Sequence, residues 1–240
     1  TKNGATWDTA TDISPGDLSA SDYFCDSIDK DDTTGDMVIG AWGGDAIYYY
    51  KWNGNGWDTP VKRVGPNGDY YGNSVAIDGN LIAVASPLAT TDQTYKGRID
   101  IVEISAGPTL SDVDVIKSNM FTIIDDNSWL FGDVAAPMKF KDGMLYFTLL
   151  ESNPPDFIAH LYVLHKPASS WVILTGPLAQ VDRAAQGIDV NDGWLAFSDP
   201  NYNSNQGSVE LYSWSGSNWV YSQRVTSNVP ETNGGFGADI

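Results

Sequence analysis

The run Asp29-Lys30-Asp31-Asp32-Thr33-Thr34-Gly35-Asp36 is the segment whose residue types and spacing best suit metal chemistry. Calcium takes roughly six to eight oxygen ligands, and acids at alternating loop positions converge on an ion when a glycine permits a sharp turn. The competing reading is a solvated acidic turn. A second oxygen-rich stretch, Asp199-Pro200-Asn201-Tyr202-Asn203-Ser204-Asn205-Gln206-Gly207, has a single carboxylate and reads more simply as an exposed loop. Within it Asp199, Asn201, Tyr202 and Asn203 are candidates for ligand contact, because scaffold-held loops commonly carry binding function. Tyr48 and Tyr50 are further candidates, as aromatic rings that could line a recognition surface. Acid–base and nucleophilic chemistry has little to work with. The two histidines, His160 and His165, are five apart on one expected strand and therefore point to opposite faces. No nucleophile elbow, zinc His-Glu-x-x-His, phosphate loop or dinucleotide fingerprint is present. No residue is assigned a catalytic role, although a glycosidase or lyase assembled across repeats stays open.

Composition narrows the partners. The 240 residues include 13 basic and 31 acidic ones, a net charge of −18, and only 4 of the acids are Glu. Asp favours turns because its short side chain bonds nearby backbone amides, so the bias reports many turns. An acidic surface repels nucleic-acid phosphates and anionic lipid heads, so neither nucleic acid nor a membrane is expected as a partner. No apolar run approaches the roughly 18 residues that a membrane helix needs. Cys25 is the only cysteine and forms no internal disulfide. The richness in Trp, Tyr, Asn and Gly fits an extracellular or cell-surface protein. A chain that opens at Thr1, without a signal peptide, reads as a processed or excised piece.

The elements that must position these residues come from a repeat. Thr34-Gly35, Asp78-Gly79, Asp142-Gly143 and Asp192-Gly193 each precede a short apolar strand, a polar loop and an aromatic-rich strand. Asp-Gly is a strong hairpin signal, since a type I′ turn needs positive φ at both central positions. A second landmark agrees: Tyr50, Trp52, Gly54 and Trp57 recur 162 residues later as Tyr212, Trp214, Gly216 and Trp219, three units of 54. A fixed period of this length marks a repeat architecture. Each unit reads as four strands, the second apolar throughout as if buried on both faces, and the fourth opening at Trp57, Trp171 or Trp219. Asp112-Val113-Asp114-Val115 alternates like a strand, whereas residues 118–124 suit a short helix. Radially repeated four-stranded units describe an all-β propeller. The expected repeats are 22–69, 70–128, 129–183 and 184–233, with half-blade pieces 1–21 and 234–240. Residues 7–13 are expected as a fourth strand and 235–240 as a first.

Tyr71-Gly72-Asn73-Ser74-Val75-Ala76, Phe131-Gly132-Asp133-Val134-Ala135 and Phe236-Gly237-Ala238-Asp239-Ile240, with the strand endings Ile39-Gly40-Ala41, Ala85-Ser86-Pro87 and Ser198-Asp199-Pro200, resemble the FG-GAP repeats of integrin-like propellers. Cys25 stands where the first repeat should have its Gly, and the fourth lacks the aromatic. The resemblance implies a calcium loop between the first two strands, where Asp29, Asp31 and Asp36 match and Thr33 replaces the third acid. It also implies seven blades, roughly 350 residues, so further blades are expected from a longer chain or a neighbouring one. The function implied is recognition or adhesion, with a protein or glycan held by loops on one face. A lectin, a filament or surface-layer subunit and a polysaccharide-active enzyme are the alternatives.

Overall fold

The computed structural model describes residues 2–3, 6–7, 11–89, 97–107, 109–117, 128–130, 137–153, 156–167, 170–175, 178, 180–182, 187–229, 234–238 and 240. A short ladder pairs β1 (Lys2–Asn3) with β2 (Thr6–Trp7). Four antiparallel sheets follow, each built from consecutive strands. Sheet one is β3 (Phe24–Lys30), β4 (Met37–Ala41), β5 (Ala46–Tyr50) and β6 (Val61–Val64). Sheet two is β7 (Val75–Asp78), β8 (Leu81–Ser86), β9 (Arg98–Ile104) and β10 (Leu110–Lys117). In sheet three, β11 (Ser128–Leu130) precedes the core strands β12 (Met138–Lys141), β13 (Met144–Asn153), β14 (Asp156–His165) and β15 (Val172–Thr175), and β16 (Gln180–Asp182) follows them. The β13–β14 hairpin outruns the sheet, and its far end pairs with β11 and β16. Sheet four is β17 (Ile188–Asn191), β18 (Trp194–Asp199), β19 (Ser208–Trp214) and β20 (Trp219–Thr226), with the one-turn α1 (Tyr202–Asn205) between β18 and β19.

The apolar second strands behave as the sequence leads one to expect. Every residue of β4 is buried, and in β8 all but the first. Alternate side chains of a strand serve opposite faces, so each sheet feeds two cores. Val38, Ile47 and Tyr49 of sheet one meet Tyr71, Val75, Ile82 and Val84 of sheet two. Ala83, Ile99 and Ile101 of sheet two meet Phe140, Leu145, Phe147 and Trp171 of sheet three. Tyr146, Leu161 and Val163 of sheet three meet Leu195, Phe197, Tyr212 and Trp219 of sheet four. The remaining face of sheet one, with Ile39, Tyr48 and Tyr50, is covered by Ile13 and Leu18. Each large apolar side chain so buried contributes on the order of 2 kcal/mol.

The first strands stand innermost, β3 beside β7, β7 beside β12 and β12 beside β17. Lys139 of β12 reaches across to Asp29 of β3 at 2.9 Å, and Lys141 to Asp32 at 3.4 Å. Burial by itself would lower the Lys139 pKa. Asp29, Asp189 of sheet four and Asp32 outweigh it and hold the ammonium above the ordinary lysine value. Contact between the first and third innermost strands is the spacing of a four-bladed arrangement, and a seven-bladed ring would hold them apart.

Several local expectations are corrected. The turn of sheet two slides by one residue, because Asp78 pairs with Leu81 and leaves Gly79-Asn80 as the turn. The first of the four core strands of sheet three is Met138–Lys141; the Phe131–Ala135 motif and residues 118–124 lie outside those described. Residues 11–13 are not in a strand, and 236–238 form a turn. Trp57 makes only an isolated bridge to Trp52, so the fourth strand of sheet one starts at Val61.

Sheets one and two approach so closely that glycine is required at the contact. A Cβ on Gly40 would lie 2.0 Å from the Gly72 carbonyl oxygen, and one on Gly72 (φ +91) 2.3 Å from that of Ala46. Cys25 holds the matching glycine position in sheet one with φ 73, a conformation that costs a side chain about 1 kcal/mol. In urea denaturation Gly40→Ala should lose about 2–3 kcal/mol, whereas Cys25→Gly should gain about 0.5–1 kcal/mol.

Candidate functional site

The acids of the expected calcium loop each have a different partner. Asp31 Oδ1 accepts the backbone N–H of Thr33 (2.8 Å) and Thr34 (2.6 Å) and the Thr34 hydroxyl, and its Oδ2 accepts the N–H of Gly79 at 2.7 Å. Asp36 accepts the Tyr49 hydroxyl at 2.6 Å and the Trp52 N–H at 2.7 Å. Asp29 accepts Lys139 and the Ile77 N–H, both at 2.9 Å. Thr33 is exposed. Among the described residues no three His, Cys, Asp or Glu side chains are gathered to hold a metal. Two of these bonds come from backbone amides of the neighbouring sheet, Ile77 to Asp29 and Gly79 to Asp31, so the loop lies at a junction of sheets. The device repeats, because Asp78 accepts the Gly143 N–H of the next sheet at 2.7 Å.

Tyr48 and Tyr50 are each only 1% exposed, and their hydroxyls donate to Asp17 and to the Ile13 carbonyl, so they are core rather than surface. They sit on a strand with every residue buried, which repeat spacing alone did not reveal. Asp199 is buried as well. Asn201, Tyr202 and Asn203 do lie in the β18–β19 connection. The Tyr202 ring supports Arg224, 3.9 Å away, and the Asn203 amide donates to Gln206 at 2.6 Å. Asn203, Ser204 and Asn205 all have positive φ. The carbonyls of Asn205 and Gln206 accept the N–H groups of Gly235 and Phe236. This loop is a seat for the chain's final segment. His160 is buried in β14. Trp171 and Trp219 are core residues, as their periodic placement implied.

A different group of aromatics, two exposed tyrosines around a half-buried tryptophan, lies at the end of sheets one and two where second strands connect to third. Trp42 opens the β4–β5 connection, and Tyr23 and Tyr70 precede β3 and β7. Tyr23 stacks on Trp42 with centroids 4.3 Å apart and planes 9° from parallel; Tyr70 meets Trp42 edge-on at 4.8 Å. The Trp42 indole N–H donates to Asp26 at 2.7 Å. Tyr23 is 55% exposed and Tyr70 39%. Both tyrosines have positive φ, 49° and 58°. An aromatic residue in that region is a true outlier, and such strain clusters at functional sites. Nothing in the repeat pattern singles out Tyr23, Trp42 or Tyr70. The available signal was the doublets Tyr23-Phe24 and Tyr70-Tyr71, because one aromatic of each suffices to fill the core.

Four sheets of four core strands, standing side by side around an axis, define the chain as a β-propeller. No protein-family model and no curated protein matches its sequence. Among solved structures, a chain of a nidogen/laminin complex is 12% identical, with 86% of this chain and 81% of that one covered and a TM-score of 0.41. A Bombyx mori GH32 β-fructofuranosidase is 10% identical over 83% of this chain, with a TM-score of 0.45. The match covers 48% of the fructofuranosidase, about half its length.

The latch at Asp31 has a pH signature. Burial works to raise its pKa, but the hydrogen bonds from Thr34, Gly79 and Thr33 outweigh that and hold it below the ordinary aspartate value of 3.8. A lowered folded pKa means that its contribution is complete above 3.8 and is lost as pH falls through the folded value. Asp31→Asn should therefore lower stability at neutral pH by about 2 kcal/mol and flatten the acid limb of a stability-against-pH curve below that window.

Proposed function

We propose that this chain is a non-enzymatic extracellular recognition module of the FG-GAP type, and that it holds a glycan on the Tyr23–Trp42–Tyr70 platform. The FG-GAP reading is supported by two glycines in corresponding seats. Gly72 lies against the start of β5 and Gly237 against the start of β19, both with positive φ, and each follows an aromatic residue. The observation that carries the functional reading is the pair of strained tyrosines flanking one tryptophan. Strained residues persist only where the surroundings over-determine them, and here the strain holds apolar ring faces in water. A ring face of this kind suits the C–H face of a pyranose, and Asp26 beside Trp42 offers an oxygen to sugar hydroxyls. Protein interfaces also enrich Tyr and Trp, so a protein ligand is the competing outcome.

A glycan array and a titration that follows tryptophan fluorescence test the proposal. A saccharide that binds the native chain should bind Tyr23→Gly at least about tenfold more weakly, and Trp42→Phe should abolish most of the fluorescence response. Tyr23→Gly should be as stable as the native chain or more so, since glycine relieves the backbone strain. An empty array, together with saturable binding of a surface protein that the same variants weaken, would move the ligand class to protein. Equal binding by native and variant chains would remove the platform from the proposal.

A further inference from the structure

Carboxylates accompany each ring of the aromatic platform. Asp22 precedes Tyr23 and Asp69 precedes Tyr70 in the chain. Asp26 is exposed; its Oδ2 accepts the Trp42 indole N–H at 2.7 Å, and no described residue donates to its Oδ1. The Asp22 carbonyl accepts the Gly43 N–H at 3.1 Å, and a Cβ on Gly44 would lie 3.2 Å from Asp22 Oδ1. This carboxylate therefore flanks the turn that carries Trp42. A Cβ on Gly43 would lie 2.7 Å from the Tyr23 ring, which is thus set against the same turn. Among the described residues the one basic partner of these three acids is Arg98, 3.8 Å from Asp69.

The faces of aromatic rings are negative and attract cations, the more so where water is partly excluded. The chain uses that attraction elsewhere. Lys62 Nζ lies 5.2 Å from the centre of the Tyr48 ring, and the Arg224 guanidinium 3.9 Å from that of Tyr202. No described Lys or Arg lies in this way over Tyr23, Trp42 or Tyr70, so a cation on the platform is one that a ligand brings. The field of a chain with net charge −18 repels an anionic saccharide and draws in a cationic one. A neutral sugar gains ring contact and hydroxyl hydrogen bonds from the same groups, and nothing from the charge.

We infer, on the glycan reading of this platform, that it selects an amino sugar with a free ammonium, such as a glucosamine residue. The C–H face of the sugar lies on the exposed Tyr23 ring and its ammonium donates to Asp26. Charge-assisted bonds of this kind are stronger than those a hydroxyl makes, so Asp26 sets the preference. N-acetylation removes the charge and keeps the pyranose, a uronic acid reverses the charge, and a lysine side chain carries the ammonium without the pyranose.

The test titrates the full chain with tetramers of glucosamine, N-acetylglucosamine and galacturonic acid, followed by calorimetry and tryptophan fluorescence. The glucosamine tetramer should bind at least about tenfold more tightly than the N-acetylated one, and the galacturonate should not saturate. Asp26→Asn keeps an oxygen for the Trp42 N–H and should cut that preference to about twofold. Added salt should weaken the glucosamine tetramer more than the neutral one. Equal or tighter binding of the N-acetylated tetramer overturns the inference and leaves the glycan reading standing, whereas binding of no tetramer overturns both. Glucosamine binding that Tyr23→Gly leaves unchanged would be general attraction to an acidic chain and overturns the inference. So does a preference that Asp26→Asn does not reduce, or a lysine tetrapeptide that binds as tightly as the glucosamine tetramer.

Discussion

No sheet of this protein can stand alone, because its second and third strands carry apolar side chains on both faces. Stacking sheet on sheet is the one arrangement that removes both faces from water, and the three inter-sheet cores are its result. The other face of sheet one meets the same demand with Ile13 and Leu18. That constraint explains why Tyr48 and Tyr50 turned out to be core. It also explains why the sheets touch backbone to backbone at Gly40 and Gly72, where any larger residue would wedge them apart.

Charge is organised around this packing rather than spread over it. In a chain of net charge −18, lysines are scarce, yet Lys139 and Lys141 are placed on the innermost strand of sheet three, facing Asp29 and Asp32. Asp31 and Asp78 each take a glycine amide from the turn of the neighbouring sheet. A carboxylate that accepts backbone N–H groups makes strong, charge-assisted bonds, so these aspartates fix the angle between sheets that apolar contact leaves loose. Asp29 and Asp31, two of the acids in the oxygen-rich loop, belong to the same joint.

The face that carries the loops shows the opposite economy. Positive-φ tyrosines beside a half-buried indole cost stability. They cluster at the ends of sheets one and two, whose shared core is continuous enough to hold them. Rigid sheets below and strained groups above make a scaffold on which binding groups can be displayed without unfolding it.

The all-β class, the four-strand unit and its number were legible from residue order alone, because the Asp-Gly turns and Trp pairs are local signals read over a few residues. Turn chemistry at Asp142-Gly143 and Asp192-Gly193 is likewise local, and both residues of each pair adopt positive φ. Tertiary structure decided the rest. Whether Asp29 and Asp31 meet an ion or a group of another sheet depends on Ile77, Gly79 and Lys139, which lie 48 or more residues further along the chain. Whether a tyrosine is platform or core depends on which sheet lies opposite it: Tyr49 and Tyr70 have the same side chain, yet one is sealed between sheets and the other stands in water. Side-chain type sets what a residue can do, but only the packing of distant strands determines what surrounds it.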